Sequence, residues 1–449
     1  MTTTETLREI TSTLLGDDLP IRIVTPDGES LGPPDAGATL RFNNTDGLRH
    51  LVRAPGELGF GRAFVSGAVD IEGSIFDIVA LRERLPDVKL HASTVAKLAL
   101  SLGPEALHSP PVPPEELRSG PAWLSHSKSR DAASISHHYD VGNEFYRLIL
   151  GPSWTYSCAV FEGERDSLEQ AQANKYELIC RKLGLQPGMR LLDVGCGWGG
   201  MLLHAAKNFG VDAVGVTISQ EQAALAQRRI ADAGLSDKVE VRLQDYRELA
   251  GESFDAISSI GMFEHVGLKH LREYFQILQS LLVDGGRLMN HQIGRRPGTE
   301  PRPRLRHERS RVHTRGFVHR YVFPDGELHE IGDLIGEVQR TGFEVRHMES
   351  LREHYALTLR HWVENLEANW DRAVELVGKG RARVWLLYMA ASSEMFRTGE
   401  IQVHQLLATK TSSTGSAAMP WRTHWNDALS GSDVDLRPST TASALEPQE

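Results

Sequence analysis

Residues 190–200 read RLLDVGCGWGG, and this stretch decides the fold of the chain. A short apolar run that contains Asp193 is followed by glycines at positions 195, 197, 199 and 200. Residues 191–194 predict a buried parallel strand, and the Ala/Leu-rich residues 201–208 predict a helix. The glycines therefore lie at a strand-to-helix turn, where a cofactor can approach the backbone and the free amides of the helix start favour a polar or anionic group.

The glycine spacing alone does not identify the cofactor. Positions 195, 197 and 200 also fit the Gly-x-Gly-x-x-Gly pattern of dinucleotide-binding domains, which need an acidic residue about 20 positions later, at the end of the second strand. Here the predicted second strand, 213–216, is followed by Thr217, Ile218 and Ser219, and the carboxylate is Asp193, before the glycines. This arrangement resembles the S-adenosylmethionine site of class I methyltransferases and disfavours a dinucleotide.

Length and composition predict an ordinary globular protein of two domains. The chain has 449 residues, of which 40% are hydrophobic and 24% charged. The polar start MTTTETLREI lacks the apolar core of a signal peptide, and no apolar run approaches the roughly 18 residues of a membrane span, so we expect a cytoplasmic protein. The three cysteines, Cys158, Cys180 and Cys196, lack the spacing of a metal site and do not form a disulfide framework.

The charge distribution is uneven. The net charge of −10 disfavours a general nucleic-acid binder. Residues 295–320 nevertheless contain nine arginines and three histidines, against only Glu300 and Glu308. This segment is either a solvated loop or a basic patch that meets anionic lipid headgroups, where each well-placed Arg contributes about 1 kcal/mol.

Changes in composition predict the domain boundaries. Residues 1–102 combine short alternating runs at 40–43 and 61–69 with helices near 75–85 and 95–102, which indicates a small α+β domain. A Pro-rich linker is expected at 103–123, a catalytic domain at 124–408, and a partly disordered tail, with 419–421 as an anchor, at 409–449. Two amphipathic helices are expected at 357–370 and 381–396, where they cover a ligand tunnel or form helical core.

Around the glycine loop, apolar strands alternate with Ala/Leu-rich helices, which is typical of a doubly wound parallel sheet of the α/β class. The predicted strands also include 239–243, 254–260 and 287–293, and the predicted helices include 168–183, 222–233 and 270–282. Ligands of such sheets bind at the carboxyl ends of the strands. The polar residues expected to converge there are Asp193, Thr217, Asp245, Glu264 and His291.

Seven motifs in this order resemble the cyclopropane-fatty-acid synthase family. They are HYDVGNEFY (138–146), TYSCAVFE (155–162), LLDVGCGWGG (191–200), GVTISQEQ (215–222), QDYRE (244–248), GMFEHVG (261–267) and HQIG (291–294). The resemblance covers about 134–400 and implies a Rossmann-like class I methyltransferase domain. It also implies methylation, by S-adenosylmethionine, of the double bond of an unsaturated acyl chain on a phospholipid. The small N-terminal domain fits the bacterial phospholipid-acting members.

The resemblance also implies site residues. The base is a bound bicarbonate, placed near Cys158, Glu264, His291, Ile293 and Tyr355. The cofactor is covered at its methionine end by Tyr156 and Ser157 and cradled by Asp193, Gly195 and Gly197. Its ribose and adenine face Thr217, Ile218, Gln222, Tyr246 and Arg247, with Ile260 packed nearby.

Several of these residues also have a purely structural interpretation. Cys158 suits a small buried position, His291 a satisfied core histidine, and Glu264 a helix cap. Tyr355 and Trp362 lie seven residues apart on a predicted helix, as a core stripe does. The resemblance favours function for these residues.

Elementary chemistry agrees with an alkene acceptor. An alkene is a weak nucleophile, so the enzyme must align it with the sulfonium methyl group and exclude water. Methyl transfer leaves a carbocation that needs aromatic faces, anionic groups and a base. Loss of a proton from the new methyl group closes a cyclopropane, whereas a prior hydride shift gives a methylene branch that a partner reductase would saturate.

The sequence departs from the family pattern at one place. The connection from 291–294 to RYVFPDG (320–326) is longer than in the ring-forming enzymes, so the product, ring or methylene branch, stays open. We expect a homodimer at the inner membrane surface. A soluble-substrate N- or O-methyltransferase and a non-catalytic lipid-binding protein are the alternatives; the first does not require Glu264, and the complete cofactor loop disfavours the second.

Overall fold

The computed structural model describes residues 5, 8, 19–84, 92–103, 108–117, 142–249, 251–298, 316–323, 327–423 and 425. The chain forms two compact units that alternate along the sequence. The first unit is Met1–Ala171, Ile293–Leu328 and Leu351–Val403, and the second is Gln172–Gln292, His329–Ser350 and His404–Glu449. None of the helices in these described ranges is long and apolar enough to cross a membrane.

The second unit contains the predicted parallel sheet. Its strands are β5 (Arg190–Val194), β6 (Asp212–Thr217), β7 (Val239–Leu243), β8 (Phe254–Ile260), β9 (Leu282–Arg295), β10 (Phe343–Ser350) and β11 (Ile401–Lys410), in the order β10-β11-β9-β8-β5-β6-β7. Neighbouring strands from β7 to β9 are parallel, and β10 pairs antiparallel with β11. This confirms the doubly wound class I methyltransferase fold.

Alternating side chains of the central strand build two cores. Leu192 and Val194 point into one core, together with helices α10 (Leu271–Leu281) and α12 (Ile331–Arg340). Leu191 points into the other, with residues of α7 (Leu168–Leu183), α8 (Gly200–Phe209) and α9 (Gln220–Asp232). A strand that buries both faces needs the continuous apolar run that the sequence shows here.

The first unit combines a small sheet with long helices. Strands β1 (Arg22–Val24), β2 (Ser30–Leu31), β3 (Ala38–Phe42) and β4 (Val69–Gly73) pair in the order β2-β1-β3-β4. Its helices are α1 (Asp46–Arg53), α2 (Glu57–Val65), α3 (Ile75–Val79), α4 (Leu81–Arg84), α5 (Ala92–Leu102), α6 (Asn143–Leu150), α11 (Phe317–Tyr321), α13 (Arg352–Ala368), α14 (Trp370–Val377) and α15 (Lys379–Thr398). The small N-terminal region is therefore α+β.

Buried Arg383 of α15 ties that helix to the N-terminal sheet within the first unit. Its guanidinium donates to the carbonyl oxygen of Phe64 at 2.7 Å and forms an ion pair with Asp70. A bidentate ion pair joins Arg62 to Glu116, at 2.6 and 2.7 Å, in the described part of the Pro-rich segment. The predicted domain boundaries at 102, 123 and 408 stay predictions, and the compact units divide the chain differently.

Several local predictions need correction. Residues 61–65 end helix α2 instead of forming a strand, because they continue its buried helical face. The helix near 75–85 is two short helices, and α13 begins at Arg352, before the expected 357. The sequence analysis did not predict β10 or β11, and β11 continues to Lys410. Residues 118–141, 299–315 and 426–449, which hold part of the linker, the arginine segment and the tail, lie outside the described residues.

Candidate active site

The glycine loop after β5 is held by main-chain hydrogen bonds. The amides of Gly195 and Cys196 donate to the carbonyl oxygen of Val216 at 2.9 and 3.1 Å. Gly197 has φ of +53°, and a Cβ built on it meets no atom within 4 Å. Gly197 therefore leaves space beside the backbone, as a ligand site requires.

Gly200 has a different role. A Cβ at this position would lie 2.3 Å from Tyr176 Oη. Glycine is needed there because α7 packs closely on the start of α8. Only part of the glycine pattern thus concerns a ligand.

Asp193 is a buried carboxylate at the end of β5, with 3% of its surface exposed. The hydroxyl of Ser258, on the neighbouring strand, donates to Asp193 Oδ1 at 2.6 Å. Burial raises the pKa of Asp193 from 3.8 to about 6, although Ser258 and Lys175 act in the opposite direction. Such a perturbed carboxylate in a loop cleft is typical of a site that binds a cation or a polar ligand.

Polar residues also follow β6. The Thr217 hydroxyl donates to Gln222 Oε1 at 2.8 Å, and the Ser219 hydroxyl caps α9 by accepting from the Gln222 amide at 3.3 Å. Ile218, between them, is half-buried. The turn capped by Ser219 therefore holds the three predicted cofactor contacts Thr217, Ile218 and Gln222 at the start of α9.

After β7, a single turn presents an aromatic ring beside a paired cation. Arg247 donates through its main-chain N and Nε to Asp245 Oδ1, both at 2.9 Å, and through Nη2 to Oδ2 at 2.6 Å. Its guanidinium carbon lies 5.6 Å from the centroid of the Tyr246 ring. Asp245 therefore offsets the charge of Arg247, so the Arg247 guanidinium is positioned more for stacking than for binding an anion.

Two of the predicted catalytic residues are Glu264, which follows β8, and His291, which lies within β9. Ile260 pairs with His291 across these strands, and the Gly261 amide donates to the His291 carbonyl oxygen at 2.9 Å. Glu264 lies in the following turn, Phe263–His265, and its charge contributes to raising the pKa of Tyr274. Glu264 is not the N-cap of α10, because that residue is His270.

His291 is buried, with 2% of its surface exposed. Burial lowers its pKa well below 6.5, and the charges of Lys175, Lys182 and His404 lower it further. Its Nδ1 contacts Gln405 Nε2 at 3.3 Å, while Nε2 has no hydrogen-bond partner among the described residues. A satisfied core histidine would use both nitrogens, so this one has a free polar atom for a ligand.

The first unit carries the remaining predicted residues, Tyr156, Ser157, Cys158, Ile293 and Tyr355. The Cys158 thiol is fully buried and donates to the carbonyl oxygen of Leu351 at 3.6 Å. The Tyr355 ring centroid lies 4.5 Å from that of Phe396 and 6.0 Å from that of Trp362. Tyr355 and Trp362 therefore do share a packed stripe on α13.

Tyr156 belongs to an aromatic cluster, defined here as Tyr146, Tyr156, Trp362, Trp385 and Tyr388. Tyr156 stacks on Trp362 at 5.2 Å and lies 5.6 Å from Tyr146, and its hydroxyl donates to the Tyr388 hydroxyl at 3.3 Å. Trp362 Nε1 is buried and has no partner in the part of the chain that the structure describes. Sequence reasoning assigned no role to Tyr146, Trp385 and Tyr388, although Tyr146 ends the motif 138–146 and the other two lie in the predicted amphipathic helix 381–396.

The structure places the sequence-predicted residues in two groups. The residues of the second unit that lie in the last residues of a strand or after it are Asp193, Gly195, Gly197, Thr217, Ile218, Gln222, Asp245, Tyr246, Arg247, Ile260 and Glu264. His291 belongs to the same unit but lies inside β9, four residues before that strand ends, so its expected place at a strand end needs correction. Residues 156–158, Ile293 and Tyr355 belong to the first unit. Sequence reasoning also missed Ser258, Lys182 and Gln405, because no motif marks them.

Comparison with known proteins is consistent with this arrangement. The sequence profile of the family described as mycolic acid cyclopropane synthetase matches residues 126–406. The chain is 46% identical to a "probable fatty acid methyltransferase" of Mycobacterium tuberculosis, over 90% of this chain and 95% of that protein. It is 32% identical to the cyclopropane-fatty-acyl-phospholipid synthase of Escherichia coli, over 84% of this chain and 88% of the other.

A solved structure is similar as well. The crystal structure of mycolic acid cyclopropane synthase complexed with SAH and CTAB superimposes with a TM-score of 0.58 at 36% identity. The match covers 62% of this chain and 97% of that one.

Proposed function

This chain belongs to the mycolic acid cyclopropane synthetase family of S-adenosylmethionine-dependent methyltransferases, and we propose that it methylates the double bond of an unsaturated acyl chain on a membrane phospholipid. The product is a cyclopropane or a methylene-branched chain. The similarity to the phospholipid synthase covers 84% of this chain, more than residues 126–406 alone, which supports a phospholipid rather than a free fatty acid as the carrier.

The aromatic cluster of the first unit is the observation that carries this proposal. Methylation of an alkene creates a carbocation, and a cation over a desolvated aromatic face is stabilised by about 2 kcal/mol. A nitrogen or oxygen acceptor has its own lone pair and needs a base, not a group of aromatic rings. The five rings therefore favour an alkene acceptor.

We assign the cofactor contacts to both groups of residues. S-adenosylmethionine, when bound, supplies an electrophilic methyl group on sulfur. Asp193, Gly195 and the open backbone at Gly197 would hold its methionine end, covered by Tyr156 and Ser157. Its ribose and adenine would contact Thr217, Ile218, Gln222, Tyr246, Arg247 and Ile260. The free space at Gly197 and the buried carboxylate of Asp193 fit this ligand.

We assign Cys158, Glu264, His291, Ile293 and Tyr355 to a bound bicarbonate that serves as the base. The partnerless Nε2 of neutral His291 supports an anion with acceptor oxygens. Glu264 would accept a hydrogen bond from the hydroxyl of the same anion. These residues hold the base in place, and the proton that leaves the cation passes to the anion.

We further propose that the enzyme works at the membrane surface. The N-terminal region, 1–102, and the arginine segment, 295–320, are assigned to contact with lipid, and residues 299–315 of that segment lie outside the described structure. We expect a homodimer on the inner face of the membrane. A methylene product would require a partner reductase.

Mass spectrometry of lipid acyl chains tests the proposal. The protein is incubated with S-adenosylmethionine and oleoyl phospholipid vesicles, and the acyl chains are fragmented. We expect a gain of one CH₂, resistant to mild hydrogenation if a ring forms and reducible if a methylene branch forms. Methylation of soluble amines or phenols, with no change in the lipid, would overturn the proposal in favour of an N- or O-methyltransferase.

A further inference from the structure

Within the second unit, a chain of buried, hydrogen-bonded side chains reaches Nδ1 of His291. Lys182 of α7 is fully buried, and its ammonium donates to the Glu349 carboxylate and, at 2.6 Å, to Gln405 Oε1. Gln405 of β11 is also fully buried, and its Nε2 lies 3.3 Å from His291 Nδ1. The chain therefore runs Lys182–Gln405–His291 and ends at the partnerless Nε2.

The donors and acceptors in this chain have only one consistent arrangement. An ammonium has hydrogen-bond donors and no acceptor, so the atom of Gln405 that faces Lys182 must be the amide oxygen. The amide NH₂ then faces His291 and donates to Nδ1. Reversal of the amide would place its NH₂ against the ammonium, where this donor is buried without an acceptor and the ammonium keeps only Glu349, which is costly.

A neutral imidazole that accepts at Nδ1 carries its proton on Nε2. The groups around His291 also oppose its protonation. Burial and the charges of Lys175 and Lys182 on α7 and of His404 on β11 all lower the pKa of His291. His291 is therefore neutral, and its tautomer decides what it can do.

We infer that Gln405, oriented by Lys182, is a positioning residue that holds His291 as the Nε2–H tautomer. In combination with the proposed function, on which this step rests, His291 then donates a hydrogen bond to an oxygen of the bound anion. Nε2 is protonated and cannot accept the proton of the carbocation, so the anion, not the histidine, is the base. Lys182 and Gln405 thus contribute without contacting substrate.

Nitrogen-15 NMR of the histidine rings tests the tautomer directly. Long-range proton–nitrogen spectra of the full-length protein, labelled at histidine, distinguish the two tautomers, and His291→Gln identifies the signal. We expect Nε2–H, with no titration from pH 6 to 9. Gln405→Glu preserves size but replaces the donor by a carboxylate, so it should move the proton to Nδ1. Lys182→Met should give a mixture of tautomers.

Kinetics with oleoyl phospholipid vesicles test the consequence. We expect Gln405→Glu to lower kcat by about 10²-fold, the effect of removing one positioned donor, with KM for S-adenosylmethionine nearly unchanged. Its pH profile should gain an ionisation, because the new carboxylate favours the imidazolium. Thr409→Val, another buried polar change on β11, is the control and should alter neither the His291 signal nor kcat.

The two readouts separate the inference from the proposed function. A wild-type signal for Nδ1–H, or an imidazolium, would overturn the inference whatever the substrate. If Gln405→Glu unfolds the protein, the Lys182→Met spectrum tests the inference instead. A His291 signal that stays purely Nε2–H in Lys182→Met would contradict the role of Lys182. An Nε2–H signal without lipid methylation would support the tautomer and refute the proposed acceptor.

Discussion

Asp193→Asn should stabilise the cofactor-free protein while weakening the cofactor site. The wild-type carboxylate is buried, and burial raises its pKa from 3.8 to about 6. The folded protein therefore binds this proton more tightly than the unfolded chain does. As a result, the free energy of unfolding decreases as the pH rises from about 4 to above 6.

The magnitude follows from the two pKa values. Their difference, about 2.2, at about 1.36 kcal/mol per unit, gives about 3 kcal/mol lost at pH 8. At pH 5 the same difference in pKa lowers the free energy of unfolding by about 1.6 kcal/mol. Asparagine cannot ionise, and its side-chain oxygen still accepts from the Ser258 hydroxyl. The free energy of unfolding of Asp193→Asn should therefore exceed that of wild type by about 3 kcal/mol at pH 8 and about 1.6 kcal/mol at pH 5.

Urea unfolding at pH 5 and pH 8, without cofactor, measures both values. The advantage of Asp193→Asn should grow by about 1.4 kcal/mol between the two pH values. Ser258→Ala is the matched control, since loss of its hydrogen bond raises the Asp193 pKa further and steepens the pH dependence. Equal pH dependence in wild type and Asp193→Asn would refute the reasoning. Calorimetry should show at least about tenfold weaker cofactor binding, the cost of one charge-assisted hydrogen bond.

Three further changes have defined outcomes. Glu264→Gln should lower turnover by about 10²-fold with unchanged cofactor affinity in a binding titration, and near-normal turnover at saturating cofactor would exclude the proposed anion site. Gly200→Ala should destabilise by about 1–3 kcal/mol in urea unfolding, because its Cβ overlaps Tyr176 Oη, and Tyr176→Phe should restore part of the loss; an additive double variant would contradict this. Reversing several charges in 295–320 should weaken binding to anionic vesicles by about 1 kcal/mol per Arg in a low-salt flotation assay, and unchanged binding would remove the docking role.

Much of the catalytic unit was predictable because its causes are local. Leu191, Leu192 and Val194 place apolar side chains on both faces, so they predicted a central strand, and the structure buries them in two cores. Polar residues at strand ends predicted a common edge, and β5 to β9 end there. Strands β10 and β11 were not predicted. They pair antiparallel with each other and follow helical segments that lie outside the alternation of strands and helices.

By itself, the sequence determined the family, the cofactor loop, the strands that contain Asp193 and His291 and the strand before Glu264, since each depends on residues close together in the chain. Only the tertiary structure decided what surrounds them. Gln405 lies 114 residues from His291 in the chain and 223 from Lys182, and they meet because β11 is inserted next to β9. No local periodicity encodes that insertion, because strand order is set by long-range packing, so only the folded chain reveals which tautomer His291 adopts.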